Sequence, residues 1–121
     1  MSKVLIVDDS PTMRKIIKAT LSPLQVSTRE ASNGLEAIEQ LALESADVVL
    51  LDLNMPDMHG YEVIRYIRQH QDYGDLPIVV ISTRSDEASI QEALQSGANA
   101  YLTKPFDPEE LNNLVTDLLR N

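Results

Sequence analysis

Cysteine is absent from the 121 residues. This excludes disulfide frameworks, thiolate zinc sites and cysteine nucleophiles, and it fits a reducing compartment, so the expected location is the cytoplasm. Long apolar stretches are also absent. The longest runs, at residues 4–7, 48–51 and 78–81, reach four residues, against the roughly 20 that a membrane helix needs. Asp8 and Asp9 arrive too early for an N-terminal secretory signal, and a soluble protein is expected. Basic residues are scarce: ten Lys and Arg stand against nineteen Asp and Glu, a formal net charge of -9. That is the wrong sign for holding phosphate backbones, so nucleic acid is not an expected direct partner. No repeat, low-complexity tract or linker interrupts the chain, whose length suits one domain over residues 1–121. With 43% hydrophobic and 24% charged residues, it is expected to fold by itself.

The three apolar runs contain β-branched and Leu residues with nothing polar inside them. Strands buried on both faces of a parallel sheet have this pattern. Between the runs, apolar residues recur at helical spacing: Met13, Ile16, Ile17 and Leu21; then Leu35, Ile38, Leu41 and Ala42; then Val63, Ile64 and Ile67. Two weaker strands, over 26–31 and 99–102, have the mixed polarity of sheet edges, and further helices are predicted over 87–95 and 108–119. Ser10 followed by Pro11 reads as a helix cap and first helical residue, and Asp107, Pro108 and Glu110 repeat the device with a capping-box acid. Gly34 and Gly97 stand at helix ends where a tight connection or a positive φ is expected, and 71–77 reads as a loop. Five β/α units with short connections imply right-handed crossovers. The expected fold is α/β, a doubly wound five-stranded parallel sheet covered by helices.

In such a sheet, ligands bind outside the carboxyl ends of the strands. The residues there are polar. Val7 is followed by Asp8 and Asp9, Leu51 by Asp52, Ile81 by Ser82 and Thr83, and Leu102, after one Thr, by Lys104 and Pro105. Taken singly, each has a plain structural reading, because acids cap helices, Ser/Thr pairs end strands and Lys-Pro makes turns. Ser10 already supplies the first cap, however, and a loop over 53–59 separates Asp52 from its next helix. Capping therefore does not account for three carboxylates. Crowded carboxylates repel, raising the pKa of at least one unless a cation sits among them. Hard oxygen ligands with phosphate nearby suit Mg²⁺ (or Mn²⁺). A carboxylate can also attack phosphorus to give an acyl phosphate, provided cations and hydrogen-bond donors meet the added charge. Lys104 and Ser82 are the candidates for that task.

The set Asp8-Asp9, Asp52, Ser82, Tyr101 and Lys104-Pro105, within VLIVDDS, LLDLNMPDMHGYE, LPIVVIST and SGANAYLTKPF, resembles the response-regulator receiver domain of two-component signalling in order and spacing. The resemblance runs over residues 3–119. It implies a flavodoxin-like (β/α)5 fold with strand order 2-1-3-4-5. It implies Asp52 as the phosphoacceptor, taking a phosphoryl group from a phosphohistidine on a sensor histidine kinase or phosphotransfer protein. Asp9, Asp52 and the carbonyl of Asn54 would hold Mg²⁺ directly, with Asp8 acting mainly through water. Lys104, joined to Pro105 by an expected cis peptide bond, would pair with one phosphoryl oxygen, and the Ser82 hydroxyl would donate to another.

Thr83 stands where the family usually has Ala or Gly. It adds bulk and a second hydroxyl, so either Ser82 or Thr83 is a candidate donor, with the register from Leu76-Pro77 favouring Ser82. Asn54 and Arg84 flank the site and would tune how long the phosphate lasts. Phosphorylation replaces one negative charge by roughly two and adds acceptor oxygens, so the loop after the fourth strand would be drawn inward. Tyr101, the aromatic switch, would move with it and reshape the output face of helix 4, strand 5 and helix 5. The chain would catalyse only its own phosphorylation and dephosphorylation. The segment VDDSPTMRK leans toward the stand-alone chemotaxis type; a receiver excised from a larger regulator is the alternative, and the end of the sequence at Arg120-Asn121 fits both.

Other readings are weaker. A phosphatase of the haloacid-dehalogenase type also uses an aspartyl nucleophile, but needs a second acid two residues later, where Asn54 stands. A flavodoxin-like FMN carrier shares the sheet order, yet Asp8 and Asp9 would repel its phosphate. A receiver-fold binding module that is never phosphorylated is disfavoured by the complete set of acids, hydroxyl and Lys. His59 and His70 lack a second ligand at helical spacing and read as surface residues. Met13, Met55 and Met58 read as packing or loop contacts, and Glu36, Glu39, Glu44 and Glu62 as solvated helix faces.

Overall fold

The computed structural model describes residues 1–56 and 58–120; position 57, inside the loop expected over 53–59, and position 121, at the end of the chain, lie outside the described residues. Strands β1 (Lys3–Val7), β2 (Ser27–Ala31), β3 (Val48–Leu51), β4 (Ile78–Ser82) and β5 (Ala100–Thr103) alternate with helices α1 (Pro11–Leu21), α2 (Gly34–Leu43), α3 (Gly60–Gln69), α4 (Glu87–Ser96) and α5 (Pro108–Arg120). All neighbouring strands pair in parallel, in the order β2-β1-β3-β4-β5.

Burial separates the central strands from the edges. Every residue of β3 and β4 is buried, so these strands are central, whereas β2 and β5 keep exposed or half-buried positions and form the edges. Successive strand residues point to opposite faces. Leu5, Val7, Val49, Leu51, Ile78 and Val80 therefore meet Leu41 of α2, Val63, Ile64 and Ile67 of α3, and Ala93 of α4. Val4, Ile6, Val48, Leu50, Val79 and Ile81 meet Ile17 and Leu21 of α1 and Leu111 and Val115 of α5 on the other face. Each large apolar side chain so buried contributes on the order of 1.5–3 kcal/mol.

The caps expected at Ser10 and Asp107 form, but among the described residues Glu110 makes no capping-box bond back to Asp107. Ser10 Oγ accepts the Met13 N–H at 3.1 Å, and an Asp107 carboxylate oxygen accepts the Glu109 N–H at 2.9 Å. A reciprocal capping box closes α3, where His59 Nδ1 accepts the Tyr61 N–H and Glu62 accepts the His59 N–H. Glu36 likewise accepts from the Ser32 backbone N–H and hydroxyl, and Glu44 pairs with Lys3 at 3.1 Å. These three acids thus have partners beyond a merely solvated helix face. Strand β5 begins at residue 100 rather than 99 because the Asn99 side chain serves the connection, its Oδ1 accepting from the Ile78 N–H and from Arg68. A short 3₁₀ turn at Ser22–Leu24, ended by Gln25 with φ of 55°, adds to the expected elements. Gly97 does adopt the expected positive φ, 122°. Among the described residues, no helix is long and apolar enough to cross a membrane.

Gly60 sets how closely α3 approaches β3. A Cβ there would lie 2.7 Å from Leu53 Cα and 2.9 Å from the carbonyl oxygen of Asp52. Both are backbone neighbours of the strand end, so neither can yield cheaply. Gly60→Ala is expected to lower stability by about 1–3 kcal/mol, read as a lower urea midpoint; an unchanged midpoint would contradict this close approach.

Candidate functional site

Parallel pairing brings the ends of β1 and β3 to one level. Val7 pairs with Leu51, and the Asp52 N–H continues the ladder to the Val7 carbonyl at 2.9 Å, so Asp8 and Asp52 stand side by side. Asp9 completes the group: one carboxylate oxygen from each of Asp8, Asp9 and Asp52 lies within 4.8 Å of the others. Asp8 is 1% exposed and Asp52 6%, while Asp9 is open to solvent. From the far edge, Lys104 reaches in after β5. Its Nζ lies 2.8 Å from Asp8 and 3.7 Å from Asp52, and the Lys104–Pro105 peptide bond is cis, as expected.

The two buried acids differ in their partners. Asp8 receives the Ser10 N–H at 2.9 Å as well as Lys104. Among the described residues, Asp52 receives only the Asn54 N–H, at a long 3.4 Å, besides its looser pairing with Lys104. Burial pushes the Asp52 carboxyl up to about 6; Lys104 and the Asn54 N–H oppose the rise, and the charges of Asp8 and Asp9 add to it. Three carboxylates thus face one ammonium. Clustered hard oxygens, one of them left poor in donors, fit a small divalent cation.

Ser82 is the last residue of β4, fully buried, and stands one residue beyond the level of Asp52 on the neighbouring strand. Its Oγ accepts the Arg84 N–H at 3.2 Å. Thr83 lies outside the strand and is exposed. Tyr101, half-buried on β5, donates its hydroxyl to the Arg84 carbonyl at 2.8 Å and packs against the core face shared by α3 and α4. Burial raises its phenol pKa. Ser82 and Tyr101 therefore grip opposite ends of the same residue, Arg84, in the loop between β4 and α4.

His59 and His70 stay out of the acidic group. His59 caps α3 and stacks on Tyr61 with ring centroids 4.6 Å apart, and His70 stacks on Tyr73 at 3.8 Å. Met55 is buried in the core on the face of α2, α3 and α4, where Met58 also packs, and Met13 packs against the core on the opposite face. Sequence reasoning missed three residues. Tyr61 is buried and donates to the Ser89 carbonyl of α4; Arg68 donates to the carbonyls of Gly74, Leu76 and Gly97; Arg14 donates to the carbonyl of Asp8. For Arg14 a signal existed, its place one helical turn beyond Ser10.

The folded Asp52 carboxyl keeps its proton up to about pH 6, whereas in the unfolded chain it releases it near the ordinary 3.8. The folded state binds the extra proton in that window, so stability falls as pH rises through it, by an amount on the order of 3 kcal/mol. Without divalent cations, Asp52→Asn is expected to resist urea better than the wild type above about pH 7. The gap should close as pH falls toward about 4. A pH-independent gap, or a more stable wild type at neutral pH, would contradict the burial argument.

The family model for the response regulator receiver domain matches residues 4–116. Over 119 residues the chain is 42% identical to the chemotaxis protein CheY1 of Helicobacter pylori, covering 97% of this chain and 96% of that protein. It is 41% identical to the chemotaxis protein CheY homolog of Campylobacter jejuni, covering 97% and 92%. The solved structure of the Vibrio cholerae chemotaxis protein CheY4 matches with a TM-score of 0.91 at 34% identity, over 98% of this chain and 99% of that one. These matches do not favour the phosphatase and FMN-carrier readings. With its acidic group at the carboxyl edge of a sheet ordered β2-β1-β3-β4-β5, the chain belongs to the response regulator receiver domain family.

Proposed function

We propose that Asp52 accepts a phosphoryl group from a phosphohistidine on a sensor histidine kinase or phosphotransfer protein, and that the chain, one domain over 1–121, works in the cytoplasm as a chemotaxis-type response regulator. The observation that carries this reading is the buried, donor-poor Asp52 carboxyl, crowded by two acids and approached by Lys104. A carboxyl that titrates at about 6 is mostly ionised at neutral pH, and a weakly solvated carboxylate is an effective nucleophile. Its oxygen attacks phosphorus, the P–N bond breaks, and the imidazole leaves with the electron pair. The product is an acyl phosphate on Asp52.

Asp9, Asp52 and the carbonyl of Asn54 would hold Mg²⁺ (or Mn²⁺), with Asp8 acting through water; the ion supplies charge to the phosphoryl oxygens. Lys104 stands beside the same carboxylate and pairs with a second phosphoryl oxygen. Ser82, buried at the end of the adjacent strand, suits the hydroxyl donor better than the exposed Thr83. The chain is then no turnover enzyme; it promotes only its own phosphorylation and the hydrolysis of the acyl phosphate. Thr83, Asn54 and Arg84 would tune how long that phosphate lasts.

The switch depends on Arg84. Ser82 anchors the loop that carries Arg84 through the Arg84 N–H, and as its hydroxyl swings to donate to a phosphoryl oxygen that N–H follows or lets go, so the loop shifts. The other anchor is Tyr101, whose hydroxyl holds the Arg84 carbonyl. Movement of the loop therefore frees Tyr101 to turn inward, altering the face of α4, β5 and α5 where an output protein would dock. Relatives described as chemotaxis proteins, matched over 92–96% of their length, support that output class. The net charge of -9 speaks against nucleic acid as a direct partner.

Incubation with Mg²⁺ and a small acyl phosphate is expected to add the mass of one phosphoryl group to the wild type. Asp52→Asn should gain nothing, and chelation of Mg²⁺ should abolish the gain. An unmodified wild type, or equal labelling of Asp52→Asn, would overturn this reading.

A further inference from the structure

Arg14 stands in the first turns of α1 and reaches back to β1 and β2. Its Nη1 donates to the backbone carbonyl of Asp8 at 2.6 Å, and its Nε donates to Glu30 at 2.8 Å. Glu30 lies on β2 immediately before Ala31, whose carbonyl accepts the Asp8 N–H at 3.1 Å. Every polar group of Asp8 is therefore committed: its N–H to Ala31, its carbonyl to Arg14, one carboxylate oxygen to Ser10 and the other to Lys104.

Asp9 has no such anchorage. It is exposed, and no described residue donates a hydrogen bond to its carboxylate. Where that carboxylate stands is therefore set by the backbone from which it departs and by its own rotamer, with no side-chain partner among the described residues. The carbonyl held by Arg14 belongs to the planar peptide joining Asp8 to Asp9, so pinning that oxygen fixes the plane and with it the direction in which Asp9 leaves β1. Glu30 in turn keeps the guanidinium from swinging. Lysine, with a single nitrogen at its tip, cannot span both partners as the guanidinium fork does.

We infer that Arg14 is a positioning residue for the divalent-cation site, setting the Asp9 carboxylate against Asp52 through the Asp8–Asp9 peptide plane. The inference rests on the proposal that Asp9 and Asp52 hold Mg²⁺. Groups that orient metal ligands without touching the metal typically change affinity by about 10–100-fold when removed, and the effect expected here is of that size.

The test is calorimetric titration with Mg²⁺ of the wild type, Arg14→Lys, Arg14→Met and Glu30→Ala, with urea unfolding of each variant in the absence of Mg²⁺. Arg14→Lys and Arg14→Met are both expected to bind about 10–100-fold more weakly while still folded, and Glu30→Ala several-fold more weakly. Wild-type affinity in Arg14→Lys would mean that charge suffices and would overturn the positioning role. So would wild-type affinity in Glu30→Ala, which also serves if the Arg14 variants fail to fold. If the wild type itself showed no saturable Mg²⁺ binding, the metal reading would fall, and the inference with it.

Discussion

Two buried carboxylates, Asp8 and Asp52, share one ammonium at the end of a parallel sheet, and most of this molecule can be understood as the means of making that arrangement tolerable. Desolvation disfavours both charges, and their mutual repulsion disfavours them further. The fold meets the two costs unequally. Asp8 has a donor on each carboxylate oxygen, the Ser10 N–H on one and Lys104 on the other, so its charge is met within the protein. Asp52 is left with a distant Lys104 and one long backbone contact, so its compensation is incomplete. That asymmetry sets the two acids apart, one held in place by its donors and the other left with a raised pKa.

The sheet makes the meeting unavoidable. In a parallel sheet all strands end on the same side, so the residue after each strand arrives at one edge whatever its distance in sequence. Lys104 and Asp8 are 96 residues apart and in contact. The apolar layers on the two faces hold the central strands in register, and Gly60 allows α3 to lie against the backbone just after Asp52. Charge strain at the edge is balanced by a large apolar interior. The loop at Arg84 is tied to both Ser82 and Tyr101.

Much of this was legible in the residues themselves. Unbroken apolar runs mark strands covered on both faces, and the residues after such a run lie at the binding edge, which singles out Asp8, Asp9, Asp52 and Ser82; Lys104 follows the weaker edge strand in the same way, one Thr later. The sheet order is not legible in this way; it came with the family resemblance, because periodicity says which segments are strands and nothing about their neighbours. Long cationic side chains were equally opaque. Arg29 and Arg68 act mainly on backbone carbonyls, and Arg14 divides its bonds between the Asp8 carbonyl and Glu30; a carbonyl carries no sequence signature. Glu36 and Glu62 looked like solvent-facing acids because a capping contact and an exposed face use the same residue type at the same spacing.

The most direct measurement is the titration of the aspartate side-chain carboxyl carbons by NMR, first without divalent cations and then with saturating Mg²⁺. The account predicts that the Asp52 resonance titrates near 6 in the metal-free protein and moves to a clearly lower midpoint once the cation neutralises its neighbours. An Asp52 midpoint in the ordinary carboxylate range, unmoved by Mg²⁺, would mean that the acids do not strain one another and would contradict the account at its base.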